Sequence, residues 1–231
     1  MQLRNAVVFI TGANRGLGRA FAQAALAAGA AKVYAAARDP ASIDLPGVVP
    51  VALDVTDADQ VATAAAQCGD VTLLINNAGI SQAAGVLSAD AIDAARRHFD
   101  TNVFGVWALT QAFAPALKAN GGGAVLNVLS VLSWLTLPGL APYSASKAAA
   151  WALSNGLRAE LKGQGTQVTS LHVGYMDTDM TRGLDAPKSP PAEVARLALE
   201  GVETGAFEVL ADDISRQVKQ SLSSATPAYA G

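Results

Sequence analysis

Tyr143 and Lys147 stand four residues apart in Tyr143-Ser144-Ala145-Ser146-Lys147, and Ser130 lies upstream of them. If residues 143–161 form a helix, positions four apart share one face about a turn from each other, so an ammonium can lie beneath a phenol. An unperturbed tyrosine titrates near ~10, and a neighbouring positive charge lowers that value toward the range where a phenol exchanges protons usefully. A hydroxyl nearby adds a hydrogen-bond donor for an oxygen that gains negative charge. The three side chains therefore read as proton-transfer machinery acting on a polarised oxygen.

Such machinery needs a frame, and the first thirty residues supply one. Residues 6–11 (Ala-Val-Val-Phe-Ile-Thr) form a short apolar run of the kind buried in a parallel sheet. Gly12-Ala13-Asn14-Arg15-Gly16-Leu17-Gly18 follows at once, and a helix-compatible stretch covers residues 17–30. Strand, glycine-rich turn and helix in that order set backbone amides and the positive helix end against a phosphate. Gly12 lets the turn close, Gly16 lets backbone approach a pyrophosphate, and Gly18 lets the helix pack on the strand.

The spacing Thr11-Gly12-x-x-x-Gly16-x-Gly18, with Asn76-Asn77-Ala78-Gly79, Ser130 and Tyr143-x-x-x-Lys147, resembles the short-chain dehydrogenase/reductase family over nearly the whole chain. The resemblance implies a Rossmann-type, doubly wound α/β domain, a nicotinamide cofactor, and hydride transfer between that cofactor and a carbonyl or alcohol. It implies Tyr143 as general acid, Ser130 as the donor to the carbonyl oxygen, and Lys147 as the residue that lowers the tyrosine pKa and bonds the nicotinamide ribose. Asn102, in Thr101-Asn102-Val103-Phe104-Gly105, matches the family asparagine that holds a water linking Lys147 to solvent. Ser133 is a rival to Ser130, but the thirteen-residue offset to Tyr143 favours Ser130. Gly12, Asn14, Arg15, Gly16, Leu17 and Gly18 are implied to cradle the cofactor phosphates. Asp54 and Val55 look like the adenine contact, and Asn77, Ala78 and Gly79 pass beside the adenosine ribose. One departure stands out: the sixth strand leads into Val173-Gly174 where the family usually has Pro-Gly. Gly174 is kept, and Thr178 stands where it could bond the nicotinamide carboxamide.

Charge bears on which cofactor is used. A ribose 2′-hydroxyl wants an acid at the end of the second strand, whereas a 2′-phosphate wants arginine. Here that strand ends Ala35-Ala36-Ala37-Arg38, with Arg15 as a second cation in the glycine turn, so NADP(H) is expected over NAD(H). The alternatives are that Asp39 takes the acid's role or that Arg38 only solvates the surface.

Composition agrees with one α/β domain spanning 1–231. The chain is 51% hydrophobic and 15% charged, enough for a large buried sheet. Strands are expected at 6–11, 32–37, 48–53, 73–76, 124–129, 167–173 and 207–210, with helical crossovers between them, which makes a seven-stranded parallel sheet with helices on both faces. A net charge of −3 with interspersed signs argues against a nucleic-acid footprint or a polybasic membrane contact. Cys68 is the only cysteine, so no internal disulfide forms and a reduced, cytoplasmic setting is the simplest reading. The N-terminus runs straight into the first strand, leaving no room for a signal peptide. No apolar stretch reaches the ~18 residues of a spanning helix. His98 and His172 lack a carboxylate or cysteine at ligand spacing, and Asp177 and Asp179 suit a capped turn, so no metal site is expected. Helices over 90–119, with Pro115 near an end or a kink, and over 143–161 are apolar all round. In the family the matching helices pair with another subunit, implying a homotetramer or, second, a homodimer. The tail 221–231, rich in Ser, Ala and Pro, reads as poorly ordered.

The substrate should meet the segments after the fourth, fifth and sixth strands, where Val131, Leu132, Trp134, Tyr175, Met176, Met180 and Leu184 offer apolar walls. The loop over 175–191 then sets specificity. An apolar, bulky ketone or aldehyde, or its alcohol, is expected. An epimerase or dehydratase of related fold would want a larger C-terminal substrate region, and a non-catalytic NADP-binding sensor would be expected to have lost Ser130, Tyr143 or Lys147.

Overall fold

Alternation along each strand sends apolar side chains to both faces of the sheet, which is what helices on both sides require. In β1 (Val7–Thr11), Val8 and Ile10 enter one core while Phe9 enters the other; in β4 (Leu73–Asn76), Leu73 and Ile75 oppose Leu74; in β5 (Ala124–Val128), Ala124 and Leu126 oppose Val125. The computed structural model describes residues 1–230. With β2 (Lys32–Ala37), β3 (Val49–Ala52), β6 (Gln167–His172) and β7 (Glu208–Leu210), these strands form one parallel sheet ordered β3-β2-β1-β4-β5-β6-β7. The order reverses between β1 and β4, so a crevice opens at their carboxyl ends.

Helices α1 (Gly16–Ala27) and α6 (Pro191–Thr204) cover one face. Helices α2 (Ala58–Gln67), α4 (Gly105–Ala119) and α5 (Ala141–Leu161) cover the other. The second face is pinned by Phe9, whose ring lies 4.8 Å from that of Phe113. Each fully buried Leu, Ile or Phe of this kind stabilises the fold by about 1.5–3 kcal/mol. Asn76 donates to Asn127 Oδ1 at 2.8 Å and to Thr110 Oγ1 at 3.1 Å, and Asn127 donates to Ser154 Oγ, so a buried polar chain ties β4 and β5 to α4 and α5.

Two expectations change. The helix expected over 90–119 is broken into α3 (Ala91–Phe99), a π-helical turn (Asp100–Phe104) and α4. The extra residue in that turn aims Asn102 inward, where its amide bonds the backbone of Ile80, and Gly105 packs so tightly on Val55 that a Cβ would come within 2.9 Å of Val55 Cγ2. Pro115 lies inside α4 near its exposed C-terminal end. At the other end of the chain, α7 (Asp213–Ser221) follows β7. Asp212 caps it by accepting from Ser215 N, and Val218 joins a core of Val131, Leu132 and Trp134. Beyond α7 the segment expected to be loose is stitched by Ser221 Oγ accepting from Ala228 N; Gly231 lies outside the described residues. No helix among the described residues is long and apolar enough to cross a membrane.

Candidate active site

The glycine turn joins β1 to α1 with Gly12 at φ +64° and Gly16 at φ +52°, conformations that favour glycine. Gly18 has no room for a side chain: a Cβ would collide with the Gly12 carbonyl oxygen and come within 2.6 Å of Asn77 Nδ2. Gly18→Ala should therefore lower the melting temperature and weaken cofactor binding together, at a cost of about 1–3 kcal/mol for overpacking. A thermal melt and a cofactor titration check it; a variant that melts and binds like wild type refutes the packing argument. The first turn of α1 has no side-chain cap and no acid, so its backbone N–H groups stay open to an anion. A cofactor pyrophosphate fits that cradle.

The end of β4 closes the crevice from the other side. Thr11 Oγ1 accepts from Asn77 N at 3.0 Å and Ala78 N at 2.9 Å, and Asn77 Nδ2 donates to Thr11 O and Gly12 O. Gly79 follows, and a Cβ there would lie 3.2 Å from Asn102 Oδ1 and 3.8 Å from Lys147 Nζ. Asn102 spends its amide on its neighbours: it accepts from Ile80 N and donates to Ile80 O and Ser146 Oγ.

Ser130 ends β5 and starts a 3-10 turn over Val131–Ser133. Its Oγ accepts from Leu132 N at 3.1 Å, and its one hydrogen is directed to Tyr143. Tyr143 and Lys147 project from the first turns of α5, which begins at Ala141 with Pro142 in its first turn. Burial pushes the Tyr143 phenol up to about 12, while a hydrogen bond with Ser130 pulls the other way. Burial pulls Lys147 down to about 8, and its Nζ donates to Val128 O at 2.8 Å. In this geometry Lys147 does not act on the Tyr143 phenol. The ammonium lies 5.8 Å from the phenol ring centre and is turned to a backbone carbonyl, so desolvation of the phenol dominates.

The nucleotide end shows a division of labour. Asp39 accepts from Ala41 N at 3.0 Å, capping the turn Pro40–Ser42, whereas Arg38 is exposed and makes no ion pair or hydrogen bond among the described residues. Arg15 lies 3.5 Å from Asp179, an acid also paired with Arg182. Asn14 donates to Ser42 Oγ at 3.1 Å. Asp54 already accepts from Thr56 N and Thr56 Oγ1, leaving its second oxygen uncommitted. The Val55 side chain is buried against Gly105. Leu17 is core. On the substrate side, Thr178 sits over Gly16, its Cγ2 3.4 Å from where a Cβ would be. Gly174 N donates to Asp212 Oδ2 at 2.6 Å, and a Cβ on Gly174 would strike Ile214. Gly174 is thus held by the start of α7, with its N–H already used.

The expected pocket residues separate. Val131 and Leu132 are buried beside Tyr143. Met180 and Leu184 are exposed on the loop, and Tyr175 is half-buried. Met176 packs toward the α1–α6 core while its backbone bridges to Ser189. Trp134 is a correction. Its ring stacks on His172 with centres 3.9 Å apart, stands edge-on to Trp151 and carries the Lys219 ammonium at 4.8 Å, so it fills the core behind Ser130 instead of walling a pocket. That cluster also shows what spacing along the chain missed. His172 does have a carboxylate near it, Glu208 at 3.7 Å, supplied by the adjacent strand. Apolar flanks on both strands were the available signal.

Among the described residues no cluster of three or more His, Cys, Asp or Glu is placed to hold a metal. A family model described as short chain dehydrogenase matches residues 6–189. Dehydrogenase/reductase SDR family member 7B of Mus musculus is 37% identical over 195 residues, covering 78% of this chain and 60% of that protein, so the chain spans well under two thirds of that relative's length. Sulfoacetaldehyde reductase of Chromohalobacter salexigens is 40% identical over 188 residues, covering 75% of this chain and 74% of that enzyme. A short chain dehydrogenase from Burkholderia cenocepacia J2315, solved in complex with NADP, superposes with a TM-score of 0.93 at 43% identity, covering 97% of this chain and 95% of that one. A match this long, falling on the glycine turn, the β4 end and the Tyr143–Lys147 helix alike, makes the chain a member of the short-chain dehydrogenase/reductase family of oxidoreductases.

Proposed function

We propose that this chain is an NADPH-dependent carbonyl reductase, or alcohol dehydrogenase in reverse, acting on an apolar ketone or aldehyde. The observation that carries the reading is the meeting of the Ser130 hydroxyl and the Tyr143 phenol at the carboxyl end of β5, with Lys147 one helical turn away and the phosphate cradle across the crevice. When bound, the reduced nicotinamide supplies hydride to the carbonyl carbon. Negative charge then grows on the carbonyl oxygen, and Ser130, whose oxygen accepts from Leu132 N, would turn its hydrogen from Tyr143 to that oxygen. Tyr143 delivers the proton as general acid. Lys147, swung from Val128 O to the ribose hydroxyls, would bring positive charge nearer the phenol and lower its pKa. Asn102 holds the Ile80 backbone, and a water linking Lys147 to solvent would use the remaining capacity of its Oδ1 or its backbone carbonyl. Gly12, Gly16, Gly18 and the α1 N-terminus would hold the pyrophosphate, Asp54 the adenine amine, and Thr178 the carboxamide.

Preference for the 2′-phosphate rests on the unpaired Arg38, with Asp39 committed to its cap and Ala37 in place of an acid. The relative solved with NADP supports it. Arg38→Asp should shift preference toward NADH by about tenfold or more, the worth of a charge-assisted contact turned repulsive. Comparing kcat/KM with NADPH and NADH checks this; an unchanged ratio removes Arg38 from the argument. The exposed Phe104 of the π-helical turn, Trp107 of α4 and the outward Ala145 and Ala152 of α5 support assembly into a homotetramer of identical chains, in keeping with a cytoplasmic enzyme. The whole reading is tested by following NADPH consumption and alcohol formation with a panel of aromatic and aliphatic ketones. Turnover is expected, broad across apolar substrates because Met180 and Leu184 line an open loop. Cofactor binding without any turnover would favour a nucleotide sensor and sink the proposal.

A further inference from the structure

Behind Ser130 lies a buried polar line that the proposed chemistry does not use. His172, at the end of β6, is fully buried, and its Nδ1 lies 3.2 Å from the carbonyl oxygen of Ser130. A carbonyl oxygen only accepts, so Nδ1 carries the hydrogen and donates it. The same oxygen accepts from Ser133 N at 3.0 Å, the bond that closes the 3-10 turn on which Ser130 Oγ is mounted. The other ring nitrogen, Nε2, has no hydrogen-bond partner among the described residues but faces Glu208 Oε1 at 3.7 Å. Glu208 is held in turn by Trp151 Nε1 at 2.8 Å and Lys219 Nζ at 2.6 Å. Trp134 stacks on one face of the imidazole and Trp151 stands edge-on, so the ring cannot rotate freely.

Two charged groups reach this spot, Glu208 from β7 and Lys219 from α7, while Arg158 of α5 bonds Ser170 Oγ and Asp212 at the head of α7 holds Gly174 N nearby in the chain. Glu208, Asp212 and Lys219 lie beyond the residues 6–189 matched by the family model. The C-terminal strand and helix are therefore the source of the contacts that brace β5 and β6 at the active-site end.

We propose that His172 is a positioning residue for Ser130: its Nδ1–H, on a ring clamped by Trp134 and Trp151, fixes the turn that aims the Ser130 hydroxyl at the substrate oxygen. The inference rests on the reading of Ser130 as the donor to that oxygen. Residues acting through a common group are non-additive, so the test is a double-mutant cycle. His172→Leu should lower kcat for ketone reduction by about tenfold or more, a fraction of the 10²–10³ that loss of a whole oxyanion donor costs. His172→Asn, whose amide can replace the Nδ1 donor, should recover most of that loss. In a Ser130→Ala background, His172→Leu should have almost no further effect on kcat. An equal loss with and without Ser130 would overturn the proposal, as would full activity in a folded His172→Leu. If the leucine variant does not fold, the same cycle is run with His172→Gln, whose amide is displaced by one methylene. A second readout does not depend on turnover: the imidazole 15N spectrum of the cofactor-free protein should show a hydrogen on His172 Nδ1, and a bare Nδ1 would overturn the proposal even in an active enzyme. If no ketone is turned over while Nδ1 carries its hydrogen, the functional reading fails and the structural brace stands.

Discussion

Tyr143→Phe should abolish ketone reduction, lowering kcat by about 10²–10⁴, the range for loss of a positioned general acid. The substitution removes one oxygen and leaves the ring, which packs on the Val131–Leu132–Trp134 core and lies edge-on to His98 with centres 6.0 Å apart. Folding and cofactor affinity should therefore stay close to wild type, and the loss should fall on kcat and not on binding. Single-turnover kinetics with a tight-binding ketone separate the two. The pH dependence has a definite sign. With the phenol pushed up to about 12 in the free enzyme, Tyr143 is protonated throughout the neutral range and fit to give a proton, so reduction should be nearly level there. Alcohol oxidation needs the phenolate and should climb as pH rises toward that pKa, which the cofactor-bound position of Lys147 would bring lower. An oxidation rate that falls from neutral to alkaline pH would contradict Tyr143 as the base, and retained turnover in Tyr143→Phe would end the mechanism.

The sheet could be read from sequence because each strand is an apolar run bounded by a glycine-rich or polar turn, and each crossover must be right-handed. The expected 6–11, 32–37, 73–76 and 167–173 agree with β1, β2, β4 and β6 to within a residue. The π-helical turn at Asp100–Phe104 was hidden because one inserted residue barely disturbs the apolar pattern; it depends on Asn102 finding the Ile80 backbone and Ser146, contacts distant in the chain. Helix α7 was hidden for the opposite reason: its sequence is polar overall, and only Val218 and Ser215 face inward. Trp134 was misplaced and His172 passed over by a single oversight. Trp134 follows β5 and His172 ends β6, and the partners that enclose them, Glu208 of β7 and Val218 and Lys219 of α7, come from distant elements. A local motif specifies the chemistry through residues close in the chain, such as Tyr143 and Lys147, one helical turn apart. The residues that hold it still come from whichever elements the topology brings alongside.

Lys147→Met should do two opposite things: eliminate most activity and stabilise the cofactor-free protein at neutral pH. Lys147 is buried and its ammonium is pulled down to about 8 from the usual lysine value of 10.5, with burial as the cause. A depression of that size corresponds to a penalty of about 3 kcal/mol for carrying the charge in the folded state. The Val128 carbonyl returns about 1 kcal/mol through its hydrogen bond. Methionine fills similar volume without charge, so a net gain of about 2 kcal/mol is expected, or roughly 4–8 °C in Tm for a chain of this size. The sign follows from proton linkage. Between pH 8 and 10.5 the unfolded lysine binds a proton that the folded one has released, so wild-type stability rises with pH across that window. The penalty is fully present below pH 8 and relieved above 10.5, whereas the methionine variant has no such group. The Tm difference should therefore be largest at neutral pH and shrink toward pH 10.5, as differential scanning calorimetry of both proteins would record. A methionine variant less stable than wild type at pH 7, or an offset that stays constant to pH 10.5, would refute the buried charge. Activity should fall by at least about 10²-fold on the proposed role, in which the bound-state ammonium would draw the phenol pKa down and hold the ribose. A residue whose removal stabilises the protein and disables it marks strain retained for function.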